Sequence, residues 1–425
     1  MKKAIKILKK IGILLLSIII ISTCVYVIKY NYKNVLAMHR IKDVHNYAKD
    51  IEEISIPDDV KIVGLGEATH GNIEFQELKL TVLKKLVEEY GFKAFALELN
   101  YSESVALNQY IQGGEGDVVS LLNNTSYIIY HTTHMADLVD WMREYNATAK
   151  EQDKLSFYGL DMQDQAVATK LIIDYCNKHT LENIETDLSL ISNLSDLSFR
   201  PNEEDLPNYY ASLNNLASRI PEQTISYCCE QLKQYLGHYR KDESWTTYRD
   251  KCMVMNLTHY LSLEKERGNE KMMIAGHCGH IYNAVVELEP GVFEPTFGKM
   301  IYEKYKDAYY IIGTEFFTSK DNINTSAMVS DDYERKNHLL CSSDTLAYQA
   351  KYMKNQMYYL DYSEIQEGDT YNLIHSKMPM SQAGEGYSFI WRLFPYNTYK
   401  INIVPADCYN GMIYVYHAHP ITATY

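Results

Sequence analysis

Short apolar runs of strand length alternate with amphipathic runs of helix length along most of this chain, and several of the apolar runs end in a titratable residue. Residues 60–65 are mostly apolar and lead into Gly66, Glu67, Ala68, Thr69 and His70. Residues 74–90 then carry Phe75, Leu78, Val82, Leu86 and Tyr90 at helical spacing, and Gly91 stops them. Residues 93–99 read as a second strand holding Glu98. Residues 155–160 read as a third, followed by Asp161, and 272–275 as a fourth, followed by His277 and His280. Helices are expected at 102–112 and 135–148, and later strands at 309–317, 357–360, 401–404 and 412–416. This alternation predicts an α/β fold, a mainly parallel sheet flanked by helices. Residues 166–267 are helical in pattern, broken at Pro201, Pro207 and Pro221, and predict a helical subdomain inserted into the sheet or laid across it.

In a parallel sheet, side chains just past the carboxyl ends of the strands face one cleft. Glu67, His70, Glu98, Asp161, His277 and His280 all fall there, which packing alone does not require. Gly64, Gly66 and Gly71 are expected to let the backbone turn tightly around Glu67 and His70. Taken singly each motif has a plainer reading. Glu67 can cap the following helix or pair with Lys79, and His277 and His280 can be two loop histidines. His131-Thr132-Thr133-His134 reads as the cap of the next helix. His417 and His419 alternate on a strand-like run and suit the surface.

The N-terminus has a separate logic. Five lysines precede IGILLLSIIIISTCVYVI (residues 11–28), 18 residues without a charge and long enough to span a bilayer. The lysine-rich side is expected in the cytoplasm, which places the following body outside the cell membrane. A cleaved signal peptide and a lipoprotein signal ending at Cys24 are the rival readings. Residues 1–40 then form an anchor and stalk and 41–425 the body, with a short amphipathic helix expected at 44–54. The formal net charge is -14, yet the first 40 residues hold eight Lys and Arg and no acid. The rest therefore has 33 basic against 55 acidic side chains, a balance of -22. Such a body repels polyanions, so nucleic acid is not an expected partner, and a neutral or cationic small molecule is. Eight cysteines show no C-x-x-C pair, and most read as small buried hydrophobes.

GEATHG at 66–71, Lys79, ALE at 96–98, GLD at 159–161, Arg249-Asp250 with Asn256, and Gly276-His277-Cys278-Gly279-His280 together resemble the erythromycin esterase family, in the same order over about residues 55–320. GMIYVYHAHPIT extends a weaker agreement to the C-terminus. Many members read Ala-His-Asn-x-His where this chain has Gly-His-Cys-Gly-His, and the resistance esterases of the family are soluble, so the anchor is a second departure. The resemblance implies hydrolysis of a carboxylic ester such as a macrolide lactone, with antibiotic resistance as the biological setting. It implies His70 as the base for water, Glu67 or Glu98 holding its tautomer, and Lys79 meeting the oxyanion. His277 and His280 would position water or substrate. Arg249, Met253 and Asn256, at helical spacing, would line the opposite wall, with Asp161 beside the substrate. No G-x-S-x-G elbow is present, which disfavours a serine nucleophile. No cofactor is expected, although three histidines and two glutamates also suit a divalent metal. A metal-dependent hydrolase or peptidase, and a ligand-binding envelope protein without activity, are the alternatives.

Overall fold

The computed structural model describes residues 2–240, 243–325, 334–388, 391 and 399–424. Its strands in chain order are β1 (Ile62–Glu67), β2 (Ala94–Asn100), β3 (Ser156–Asp161), β4 (Met272–His277), β5 (Val285–Glu289), β6 (Val292–Pro295), β7 (Tyr309–Asn324), β8 (Arg335–Cys341), β9 (Met357–Asp361), β10 (Met378–Ser381), β11 (Lys400–Ile403) and β12 (Gly411–Ala418). An 8-stranded sheet runs in the order β3-β2-β4-β1-β7-β12-β9, with β8 paired to β7. Six of these strands are parallel, and β8 and β9 are antiparallel to their neighbours. β5–β6 and β10–β11 form two separate hairpin-like pairs.

The sheet forms where the sequence has its continuous apolar runs, because strands covered on both faces have no polar side to show. β1 and β2 are buried at every position. Along β4, Met272 and Ile274 join one apolar layer while Met273 and Ala275 join the other. The helix Ile73–Tyr90 lays Phe75, Leu78, Val82 and Leu86 on the second layer. Each such side chain contributes roughly 1.5–3 kcal/mol over an exposed one. Gly91, at φ 71, ends that helix in the left-handed region and returns its N–H to Leu86. The helices between Ala166 and Glu266 bury Ile172, Leu213, Leu232 and Leu257 in the first layer, so they are stacked over one face of the sheet.

Three expectations change. Residues 44–54 are two 3-10 turns, Asp43–Asn46 and Ile51–Glu53, because Lys49 between them pairs with Tyr359 on the edge strand β9. Pro207 opens the helix Leu206–Arg219 instead of breaking one, since proline lacks only an N–H that a first turn leaves unused. Gly64 and Gly66 lie inside β1 and do not turn the chain, whereas Gly71 sits in the turn that follows His70. A Cβ on Gly64 would lie 2.5 Å from the Tyr309 hydroxyl, and one on Gly71 2.7 Å from the Asn322 backbone nitrogen, so both are glycine for close approach.

The helix Lys2–Ala37 carries the apolar run of residues 11–28, exposed and long enough to cross a membrane or to serve as a signal sequence. Its last turns touch the body. Asn34 meets Ser343 and Lys400, Gln349 receives the Ile41 N–H at 2.9 Å, and its amide donates to the His39 carbonyl at 2.8 Å.

Candidate active site

β1 and β4 are neighbours in register, so Glu67 stands opposite His277 at their carboxyl ends. Glu67 is buried and shares its carboxylate between two partners. Oε1 accepts from His70 Nδ1 at 2.7 Å, and Oε2 takes the Lys79 ammonium. Lys79 comes from the second turn of the helix Ile73–Tyr90, is 1% exposed, and lies 5.7 Å from the Tyr130 ring. The loop between them is fixed by the Ala68 N–H on Thr314 Oγ1 at 2.9 Å. Burial disfavours charge on Glu67, but Lys79 and His70 outweigh it and hold the carboxyl below its usual range. Burial likewise opposes charge on His70, and Glu67, Glu98 and Glu385 overcome it, so its pKa rises. With Nδ1–H directed at Glu67, the lone pair of His70 is on Nε2.

His277 is 5.1 Å from His70 between ring centres and is prepared differently. Its backbone N–H donates to Glu98 Oε2 at 2.8 Å, and its Nδ1 accepts from the Gly279 N–H at 3.2 Å. The proton of the neutral ring therefore sits on Nε2, which is buried and without a partner among the described residues. Burial, reinforced by His70, drops its pKa to about 3. Glu98 lies so close to β4 that a Cβ on Gly276 would be 2.8 Å from Oε2. Arg249 joins the remaining carboxylates. Its NH2 reaches Glu98 Oε1 at 2.6 Å and Asp161 Oδ2 at 2.5 Å, and NH1 donates to His280 Nε2 at 2.9 Å. His280 Nδ1 in turn donates to Asp250 Oδ1 at 2.6 Å, while Asp250 Oδ2 accepts from the Phe297 N–H. Burial resists charge on Glu98, but His280, Arg249 and His70 outweigh it and keep the carboxyl far below its ordinary value.

The family model of erythromycin esterase matches residues 87–418. This chain belongs to the erythromycin esterase family. The match begins after the Glu67–His70 corner, which stands on its own geometry. The erythromycin esterase type II of Escherichia coli is 34% identical over 106 residues, 24% of each chain, so this protein spans about a quarter of that relative's length. A Bacillus cereus protein of known structure shares the fold at TM-score 0.72 and 21% identity, over 92% of this chain and 99% of its own. The structure of a mutant of the erythromycin esterase EreC, in its open conformation, matches at TM-score 0.59 and 12% identity, over 86% and 92%.

In this esterase-family chain the network places the expected residues unequally. Glu67, His70, Glu98, His277, His280 and Arg249 come together as one chain of contacts. Glu67, and not Glu98, holds His70. Lys79 does not face an oxyanion, because it lies behind Glu67, where it neutralises that carboxylate. Asp161 does not reach substrate either. It is 0% exposed, and Arg249, the Tyr127 hydroxyl and the Met162 N–H fill its oxygens. Asn256 is 0% exposed and ties the helix Trp245–Glu266 to the end of β3 through the Leu160 carbonyl at 2.7 Å. Tyr227 and Gln234 occupy its amide oxygen, and Met253 is buried beside it, so only Arg249 of the expected wall reaches the network. Thr132 caps the helix Thr133–Thr148, and His419 pairs with Glu74 on the surface, as expected. Asp250 was named only as part of the Arg249-Asp250 motif and given no role, and Thr314 and Gln382 were not anticipated. Asp250 had a signal in its place beside Arg249, whereas Thr314 and Gln382 arrive from distant segments with no pattern to mark them. Among the described residues no group of three or more His, Cys, Asp or Glu is arranged to hold a metal ion.

Proposed function

We propose that this protein hydrolyses a carboxylic ester by water activated at His70. The observation that carries the reading is the buried Lys79–Glu67–His70 relay, which leaves Nε2 of His70 as the open basic atom beside His277. His70 Nε2 takes a proton from water as the water oxygen bonds to the ester carbon. The carbonyl π pair moves onto oxygen, and the His277 Nε2–H donates to that oxyanion. Collapse re-forms the carbonyl and breaks the ester C–O bond, and the proton on His70 passes to the departing alkoxide. One water is consumed and an acid and an alcohol are released. Glu67 stabilises the imidazolium, which general-base catalysis of about 10²–10⁴-fold requires. Glu98, Arg249, Asp161 and Asp250 hold His277 and His280 in place.

A macrolide lactone is a candidate substrate, supported by the name of the Escherichia coli relative and by the acidic body, which suits a cationic molecule. We place the enzyme at the cell membrane with the helix Lys2–Ala37 as its anchor and the body outside, on the strength of the lysines that precede the apolar run. The test is hydrolysis of macrolides, simple esters and peptides by the full chain in membranes, with and without chelator. Ester cleavage indifferent to chelator is expected. Cleavage of peptides alone, or activity lost to chelator and restored by a divalent ion, would sink the reading in favour of a metal-dependent hydrolase. Protease added to intact protoplasts should degrade the body, and full protection would overturn the placement.

A further inference from the structure

Among the described residues, His277 Nε2 is not the only donor left without an acceptor near this corner. The side-chain nitrogen of Gln382 is also buried and has no partner among them. The two groups share a location. A Cβ placed on Gly279 would lie 3.0 Å from Gln382 Oε1 and 3.0 Å from His277 Nδ1, so the carboxamide and the imidazole press on the same Cα. The next residue, Ala383, bridges Thr69, which precedes His70. The segment 381–383 therefore lies along both histidine loops, pairing with Thr69 beside His70 and bringing the Gln382 side chain to Gly279, two residues after His277.

The backbone that presents Gln382 is held on both sides. The Gln382 N–H donates to the Tyr399 carbonyl at 2.7 Å, and the Ser381 N–H to Glu315 Oε2 at 2.6 Å. A glutamine so placed has few positions for its amide. The carboxylates around the two histidines have other partners, Glu67 in Lys79 and His70, Glu98 in Arg249 and the His277 N–H, and Glu385 in Arg335. Burying a donor with no acceptor costs about 1–3 kcal/mol, so two on side chains that both flank Gly279 are expensive unless something arrives to accept from them. An oxygen that gains negative charge during the reaction is such an acceptor, and donors waiting where charge develops favour the transition state over the bound ester.

We propose that Gln382 is a catalytic residue, its side-chain N–H forming with the His277 Nε2–H the oxyanion site of the reaction. This rests on the ester hydrolysis proposed above. The test uses the full chain in detergent, with p-nitrophenyl butyrate as substrate and p-nitrophenyl methylphosphonate, an anion with a tetrahedral centre, as ligand. Gln382→Met keeps the length of the side chain and removes the donor. It should lower kcat by about 10²–10³-fold, the scale of one oxyanion donor, with KM changed by less than about threefold. Its melting temperature should match that of the wild type. Gln382→Glu, a carboxylate facing the developing charge, should lose at least as much. A Gln382→Met enzyme with wild-type kcat, while His70→Ala is inactive, would overturn the assignment of Gln382 and leave the ester reading standing. If the wild type cleaves no ester, the ester reading falls, and the phosphonate decides on Gln382. It should raise the melting temperature of the wild type and not that of Gln382→Met, and equal shifts in the two would overturn the site.

Discussion

The end of β1 and the end of β4 each present a buried histidine, and the two are made ready for opposite states. Burial is common to both, so it cannot be the difference. At His70 the Nδ1 meets a carboxylate, Glu67, that is itself fixed by Lys79. At His277 the Nδ1 meets a backbone N–H, which needs the ring's lone pair and so keeps a proton off that nitrogen. One ring is drawn toward charge and the other is held neutral, although their centres are 5.1 Å apart. In the proposed mechanism, the identity of the partner at Nδ1 sets which histidine exchanges a proton and which only donates one.

Removing His70 is the strongest way to break this comparison. His70→Ala should lower kcat by about 10²–10⁴-fold on any ester the wild type cleaves, with KM little changed. Steady-state kinetics check this, and an unchanged kcat would move the base elsewhere. Lys79→Met comes next. It leaves the Glu67 carboxylate buried with only His70 beside it, and loss of one partner from a buried pair costs about 3–5 kcal/mol. Urea unfolding should register most of that cost, and a loss below about 1 kcal/mol would mean Lys79 is not the counter-charge.

The pH dependence separates the two corners with smaller effects of opposite sign. His70 must be neutral to act, and its pKa is raised, so kcat/KM should climb with pH through a midpoint above 6.5. Glu67→Gln should move that midpoint down. Stability follows the same logic. The His70 contribution is complete below about 6.5 and is lost as pH rises through its raised folded value. The His277 contribution is present above 6.5 and is lost as pH falls from there toward about 3. Melting curves of His70→Gln and His277→Gln against wild type should therefore converge on opposite sides of pH 6.5, and convergence on the same side would contradict the partner argument. The least effect is expected at a histidine outside the network. His419→Gln, on an exposed ring paired with Glu74, should change stability by no more than about 0.5 kcal/mol and leave kcat intact.

The elements around the site were legible because apolar runs long enough for a strand ended in polar residues at the point where parallel strands deliver them. β1, β2, β3 and β4 lie within two residues of where the runs placed them, and Glu67, His70, Glu98, His277 and His280 do converge. The sequence could not show on which side of Glu67 the Lys79 ammonium would arrive, so a residue expected near substrate proved to be a buried counter-charge. Asp161 and Asn256 misled for the same reason, since a polar residue at a strand end can turn inward to hold its neighbours. Thr314 and Gln382 stayed hidden because their contacts join segments more than 90 residues from the histidines they serve. β11 lies within one residue of the strand expected at 401–404, whereas β8 and β10 were missed because short or partly exposed strands have too few apolar positions to show a period.

Gly276 and Gly279 carry a consequence for how the proposed site could take on new substrates. A methyl group at either position would collide with the Glu98 carboxylate or crowd both Gln382 and His277. At both corners of the proposed site even an added methyl group would force Glu98, or Gln382 and His277, to give way, so reshaping it disturbs the side chains the mechanism uses. Diversification is pushed outward to surfaces that already tolerate bulk, such as the β5–β6 hairpin that follows His280 by a few residues and leaves Phe293 63% exposed. Libraries built there would explore new substrates at constant chemistry, whereas libraries built at the glycines would mostly recover the parent.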